Sequence, residues 1–279
     1  MVSVNYSFTN IQTISNLRIT NKSIQETQNR ISSGLKVSNS RDNPVAWAAA
    51  QSLRSEVKSQ DGLTANISKA LGKAEGSAGI MDKITDILGK IKETVQLGSN
   101  VSADFGALNA TIDSYKTQIK NLVSSATING DNWLNAVGAS ETVAVAMNGS
   151  SAVNASFTTQ AVYDSAGAAN AKGFLETVLD AAVLTNANYA TQSTAVDTAA
   201  SSSSAYAVGL SGFAESLSTQ KDVQATIQGI RLQAISDLVD ANLEEESARV
   251  NALQVKQQLA YQALSIGNSS TQNILRLFQ

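Results

Sequence analysis

Neither cysteine nor histidine occurs in this chain, and proline occurs once. Without a thiol there is no disulfide framework, no cysteine nucleophile and no thiolate metal site. Without an imidazole, the Ser-His-Asp triad, the zinc-protease motifs and most transition-metal sites are closed as well. Charge is also scarce, at 15% of residues, and aromatics make up only 5%. A formal net charge of −3 gives no basic patch for nucleic acid. The opening MVSVNYSFTN has neither a basic stretch nor an apolar run, and no segment approaches the ~20 apolar residues of a membrane span, so neither a cleaved leader nor membrane insertion is expected. Alanine, serine, asparagine, threonine and glutamine dominate instead. Small polar surfaces of low charge suit helices that lie side by side with copies of themselves, because like-charge repulsion is weak.

The segment Gln25 to Arg54, QETQNRISSGLKVSNSRDNPVAWAAAQSLR, organises the chain. Upstream, Ile14, Leu17, Ile24 and Ile31 fall at spacings of three and seven, the narrow apolar seam of a helix that packs on another helix; Leu35 extends it. Ser33-Gly34 interrupts that pattern, and Gly34 to Asp42 reads as a spoke between two helical regions. Asn43 is then an N-cap, and Pro44 takes the first helical position, where its missing N–H costs nothing. From Pro44 the apolar residues keep mostly to steps of three and four out to Gly98, which predicts one helix of roughly 80 Å at ~1.5 Å per residue. Glycines at 72, 76 and 79 leave room for a break there.

A second helix begins at Asp104 and runs to about Thr127, followed by Ile128-Asn129-Gly130. Alternating apolar residues on both sides of Asn148-Gly149 predict a small β-hairpin near 141–160. A short helix is expected over Lys172 to Val183, a loop over the low-complexity run Ala190 to Ser204, and another long helix from Ser211. Ala252, Val255, Leu259 and Ile266 then form a second terminal seam, whose natural partner is the first. The fold class is therefore mainly α, a long antiparallel helical bundle or rod with a terminal coiled coil and one small β-hairpin.

No site for catalysis, cofactor or metal emerges. The aspartates at 42, 61, 82, 86 and 104 are scattered, Glu244-Glu245-Glu246 is a solvated acidic face, and the glycines near 72–79 lack the strand-turn-helix setting of a phosphate loop.

The run ISSGL at 31–35, the Asp42-Asn43 pair and the Ala- and Leu-rich helix after them resemble the N-terminal region of bacterial flagellins. The other end agrees: Glu246-Ser247-Ala248, Leu253-Gln254-Val255, Gln257-Gln258-Leu259, Gln262 to Ile266 and the closing Leu275-Arg276-Leu277-Phe278 resemble the flagellin C-terminus in the same order. The resemblance implies a structural, non-enzymatic subunit. Such a subunit polymerises with many copies of itself into the swimming filament, is exported through the flagellum without a cleaved signal peptide, and meets an export chaperone and cap or junction proteins. The middle of the chain is too short for the large outer domains of longer flagellins, so a minimal type is implied. Its inner coiled-coil core would be residues 1–40 with 244–279, and its rod-like domain residues 41–243. Subunit assembly falls to Ile14, Leu17, Ile24, Ile31, Leu35, Ala252, Val255, Leu259, Ile266, Leu277 and Phe278. Leu88 to Gln96, LGKIKETVQ, is similar to the flagellin segment read by the vertebrate innate receptor, with Lys90 in place of its arginine, Thr94 in place of its leucine and Glu93 retained. A hook–filament junction protein shares such ends and stays an alternative; a surface adhesin or glycan-binding helical protein, suggested by the Ser/Thr-rich middle, is a second.

Overall fold

The structure, a computed structural model, describes residues 8–135, 139–148, 151–163 and 173–277. The order of elements is α1 (Phe8–Ser33), α2 (Pro44–Leu97), α3 (Phe105–Ser125), β1 (Ser140–Asn148), β2 (Ser151–Thr158), α4 (Glu176–Leu179), α5 (Tyr189–Val239) and α6 (Leu243–Leu277). The chain is mainly helical. It divides into two compact units, residues 1–57 with 229–279, and residues 58–228.

In the first unit α1 packs against α6. A small core of Val37, Ala50, Ile235 and Val239 sits beside that pair, with Leu35, Trp47 and Leu53 packed on it. Hydrogen bonds across the two chain reversals hold this region together. Gly34, at φ 71°, ends α1 and donates to the Arg30 carbonyl at 2.8 Å. Only glycine takes that left-handed turn without crowding its own side chain. Lys36 and Val37 then donate to the Val239 carbonyl at 2.8 and 3.2 Å, and Ala241 donates to the Gly34 carbonyl at 2.8 Å. The exit of α1 and the joint between α5 and α6 are thus one backbone-bonded structure.

The second unit holds the large core. On α2 the buried positions Leu63, Ile67, Ala70, Ala74, Met81, Ile84, Leu88, Ile91 and Val95 follow the helical period. The helix does not break at its glycines. Ala74, Ser77 and Ala78 are buried between them, and packing holds the segment helical. At Gly76 a Cβ would run into the Ile128 side chain, so that glycine admits the turn that follows α3. Asn129 and Gly130 have φ of 54° and 92°, and Ile128 and Asp131 bond to each other's backbone across them, the mirror-image two-residue turn that Asn-Gly favours. Asp104 caps α3, its carboxylate accepting from the Ala107 N–H at 3.1 Å. The antiparallel strands β1 and β2 pair from Ser140 opposite Thr158 to Asn148 opposite Ser151, with an irregularity between Ala144 and Ala146. The hairpin is where the alternation put it, and Gly149 lies outside the described residues.

Two expectations for the middle of the chain are corrected. The helix expected over 172–183 is a single turn, Glu176–Leu179, and residue 172 lies outside the described residues. Before it the chain runs beside residues 161 and 162, with Phe174 and Leu175 donating to the Ala161 and Val162 carbonyls at 3.3 and 3.0 Å. After it the Asn109 side chain ties down Leu184, accepting from its N–H at 2.7 Å and donating to its carbonyl at 3.1 Å. Backbone pairing on one side and the Asn109 side chain on the other win over a weak helical preference. The loop expected over Ala190 to Ser204 is instead the start of α5, which begins at Tyr189 rather than Ser211. Val196, Ala199, Ser203, Tyr206, Leu210, Phe213 and Leu217 form one buried face at helical spacing. Its first half is rich in small residues, Ala199 and Ser203 among those buried, and such a composition reads as low complexity.

Candidate assembly surface

On α1 the inward row is Thr13, Leu17, Thr20, Ile24, Thr27 and Ile31, at steps of four and three, all buried or half-buried. On α6 the corresponding row is Glu246, Val250, Leu253, Gln257, Ala260 and Leu264. Two polar members bond locally or across the pair: Thr20 donates to the Asn16 carbonyl at 2.9 Å, and Gln257 donates to the Asn21 side-chain oxygen at 2.6 Å. Glu246 is 6% exposed, and among the described residues it is the one charged side chain so deeply buried. Its Oε1 accepts from Arg30 at 3.4 Å and from Arg249 at 3.5 Å.

The terminal seam expected on α6 does not face α1. Val255, Leu259 and Ile266 are 55%, 59% and 71% exposed, and Ala252 is exposed with them. The reason is angular. Val255 lies two residues on from Leu253, about 200° round a helix of 3.6 residues per turn, so it points away from the seam. On α1, Leu17 and Ile24 face inward while Ile14 is exposed, together with Ile11 and Ile19. Leu35 packs on the small core beside the pair, and the side chain of Leu277 and all of Phe278 lie outside the described residues. Sequence reasoning missed the polar members of the true seam, though the steps from 246 to 264 carry the signal.

Each terminal helix is therefore apolar on two sides and partnered on one. A helix that is hydrophobic on opposite faces belongs inside something, and patches of exposed isoleucine, leucine and valine at this spacing mark an interaction surface.

The spoke is polar and tightly bonded. Asp42 accepts from the Ser38 N–H at 2.9 Å, the Ser38 hydroxyl at 3.0 Å and the Asn39 N–H at 3.1 Å. The Ser38 N–H above all, with the Ser38 hydroxyl, the Asn39 N–H and the charge of Arg30, holds the Asp42 carboxyl below its usual value, against the opposing effect of desolvation. Asn43 caps α2, its side-chain oxygen accepting from the Ala46 N–H at 3.1 Å, with Pro44 at the first helical position. Because the folded carboxyl is the stronger acid, its contribution is present above the ordinary aspartate value of about 3.9 and is lost as pH falls through the lower folded value. At neutral pH, Asp42→Asn should speed amide exchange at Ser38 and Asn39, and the difference from the unchanged chain should fade in acid. Equal exchange at pH 7 would deny the carboxylate its role.

Lys90 and Glu93 are exposed on α2, and half-buried Thr94 turns its hydroxyl back onto the Lys90 carbonyl at 2.9 Å. Among the described residues no helix is long and apolar enough to cross a membrane.

Residues 4–139 match the bacterial flagellin N-terminal helical region, and residues 194–278 match the bacterial flagellin C-terminal helical region. A flagellin of Brucella melitensis is 32% identical over the full length of both chains. The chain belongs to the bacterial flagellin family. Flagellin FljN of Caulobacter vibrioides is 33% identical over 99% of this chain and 98% of its own, and Flagellin C of Rhizobium meliloti 26% over 94% and 95%. As a flagellin it is a subunit of the extracellular flagellar filament, a structural protein that self-assembles, and its size leaves it without large outer domains. The junction-protein and adhesin readings are not favoured. The Ser/Thr-rich stretch that suggested the adhesin is the first part of α5.

Proposed function

We propose that copies of this flagellin join through the outward apolar faces of α1 and α6, with the inner coiled-coil domain built from residues 1–40 and 244–279 and the remainder, 41–243, packing laterally. The observation that carries this is a second set of apolar side chains: Ile11, Ile14 and Ile19 spread over the outer side of one helix, and the row Val255, Leu259 and Ile266 on the other, exposed while α1 and α6 already cover each other's inner faces. A heterologous contact that does not close on itself extends such a surface into a helical polymer. The same face would need covering before assembly, which fits an export chaperone, and would meet cap or junction proteins at the filament's ends. Export without a cleaved leader belongs to the same proposal. Electron microscopy of the purified chain seeded with filament fragments, beside a version lacking residues 1–35 and 255–279, tests it. Filaments from the intact chain alone support terminal assembly; filaments from both would remove assembly from the terminal helices.

The lysine at position 90 bears on recognition. It offers a point charge where arginine offers a planar fork, and Thr94 presents no apolar side chain comparable to leucine. We expect weak or no activation of the vertebrate flagellin receptor in a reporter-cell assay, and activation equal to that by a flagellin carrying the arginine and leucine would refute it.

A further inference from the structure

We propose that Glu246 and Arg30, supported by Gln257 and Asn21, determine the register of the α1–α6 pair, and that filament growth depends on that register. This rests on the assembly reading above. The inward row of α1 repeats with a period of seven: threonine at 13, 20 and 27, and leucine or isoleucine at 17, 24 and 31. Sliding α1 by one heptad puts threonine where threonine was and an aliphatic side chain where an aliphatic side chain was. Apolar burial along α1 therefore distinguishes the registers poorly, and polar residues must do so.

The polar residues do discriminate. Arg30 meets Glu246 at 3.4 Å, and Asn21 meets Gln257 at 2.6 Å, so both cross-helix contacts belong to one antiparallel alignment. A slide in one direction brings Ser23 to the place of Arg30 and Ile14 to the place of Asn21. Sliding the other way brings Val37, which lies beyond the end of α1, to the place of Arg30. Either way Glu246 loses Arg30, and its Oε2 already has no hydrogen-bond partner among the described residues. In a slid register it keeps only Arg249, on its own helix at 3.5 Å, and loses the counter-ion that α1 supplies, so the wrong registers are penalised.

Register matters because exposed apolar residues lie on both helices. Ile11, Ile14 and Ile19 belong to one helix and Val255, Leu259 and Ile266 to the other, facing away from the shared seam. A one-heptad slide displaces one set against the other by about 10 Å, at 1.5 Å per residue, so copies packed on the two sides would no longer keep one spacing. Arg30 and Glu246 are thus positioning residues. They act through the alignment of side chains that themselves make the contact.

The absence of native cysteine allows the register to be read directly. Asn21→Cys with Gln257→Cys reports the native alignment by disulfide trapping, and Gln28→Cys or Ile14→Cys with Gln257→Cys reports the two slid ones. In the otherwise unchanged chain only the native pair should cross-link. Adding Glu246→Gln should raise slid cross-linking by at least about tenfold and cut filament yield by a similar factor, since breaking a buried pair costs several kcal/mol. Arg30→Gln should do the same from the other side, and Arg30→Lys, which keeps the charge, should restore the native pattern. If the native alignment persists in both glutamine variants, the backbone bonds at Gly34 and Val239 hold the register alone and the proposal fails. Slid registers with undiminished filament yield would refute the link to assembly. Failure of the unchanged chain to polymerise would instead count against the assembly reading itself.

Discussion

Aspartate at Ile14 or Leu259 is expected to leave the chain folded and to abolish filament growth. Both side chains are exposed, at 42% and 59%, and neither enters the row between α1 and α6. Surface substitutions away from caps, cores and networks usually change stability by within about 0.5 kcal/mol, and aspartate in a helix adds a propensity cost of similar size. In a filament the same position would be buried against another copy. A carboxylate placed there without a partner costs several kcal/mol, and each 1.4 kcal/mol is a factor of ten in the equilibrium for adding a subunit. Roughly 3 kcal/mol would therefore raise the critical concentration by more than a hundredfold. Circular dichroism should show unchanged helix content, while sedimentation after seeding should show no polymer. Leu17→Asp is the contrasting case, since Leu17 is 7% exposed in the seam and its replacement should loosen the pair itself. Leu259→Asp filaments growing at the wild-type critical concentration would remove the outward row from assembly.

Much of this arrangement was legible in the sequence, and the exceptions have physical causes. The seam on α1 announced itself through Leu17 and Ile24, and the start of α2 through Asn43 and Pro44, because caps and apolar periods are local signals. On α6 the periodic aliphatic residues at 255, 259 and 266 are the ones the fold leaves outside. Strong periodicity shows that a face will be buried, without saying by which chain. The face actually covered within the molecule interleaves Val250, Leu253 and Leu264 with Glu246, Gln257 and Ala260, and its polar members interrupt the hydrophobicity pattern. The stretch 190–204 misled for a related reason. Val196, Ala199 and Ser203 are all buried although two of the three are small. A tightly packed alanine and serine helix and a flexible linker have nearly the same composition, and only the partner surface separates them.

The largest single loss of stability should come from Phe213→Ala in the unit formed by residues 58–228. Phe213 is a buried member of an aromatic group, its ring 5.2 Å from Phe157 and 6.2 Å from Trp133, with Phe157 in turn 6.0 Å from Tyr206. These rings come from four separate places: the segment after α3, strand β2, and two turns of α5. Removing Phe213 leaves a cavity that none of the others can fill without leaving its own site. Phenylalanine-to-alanine changes in such positions cost about 3–5 kcal/mol, which for a unit of this size lowers the melting temperature by roughly 10 °C. Tyr206 sets a smaller companion effect. Its hydroxyl donates to the Trp133 carbonyl at 2.9 Å and accepts from the Gln160 N–H at 3.1 Å, so Tyr206→Phe strands both groups at a cost of about 1–3 kcal/mol. Burial pushes the Tyr206 hydroxyl up from its ordinary value, with the Gln160 N–H opposing. Its contribution is therefore intact below about pH 10 and is lost as pH rises through the higher folded value, an alkaline sensitivity the phenylalanine variant should lack. The two tryptophans make the measurement specific, because Trp47 packs on the small core of the first unit while Trp133 is buried in the second. With Trp47→Phe as background, Trp133 emission reports the second unit alone. Phe213→Ala should bring forward the thermal transition of that signal. An unshifted transition would mean that the aromatic rings only fill space the surrounding helices already hold together.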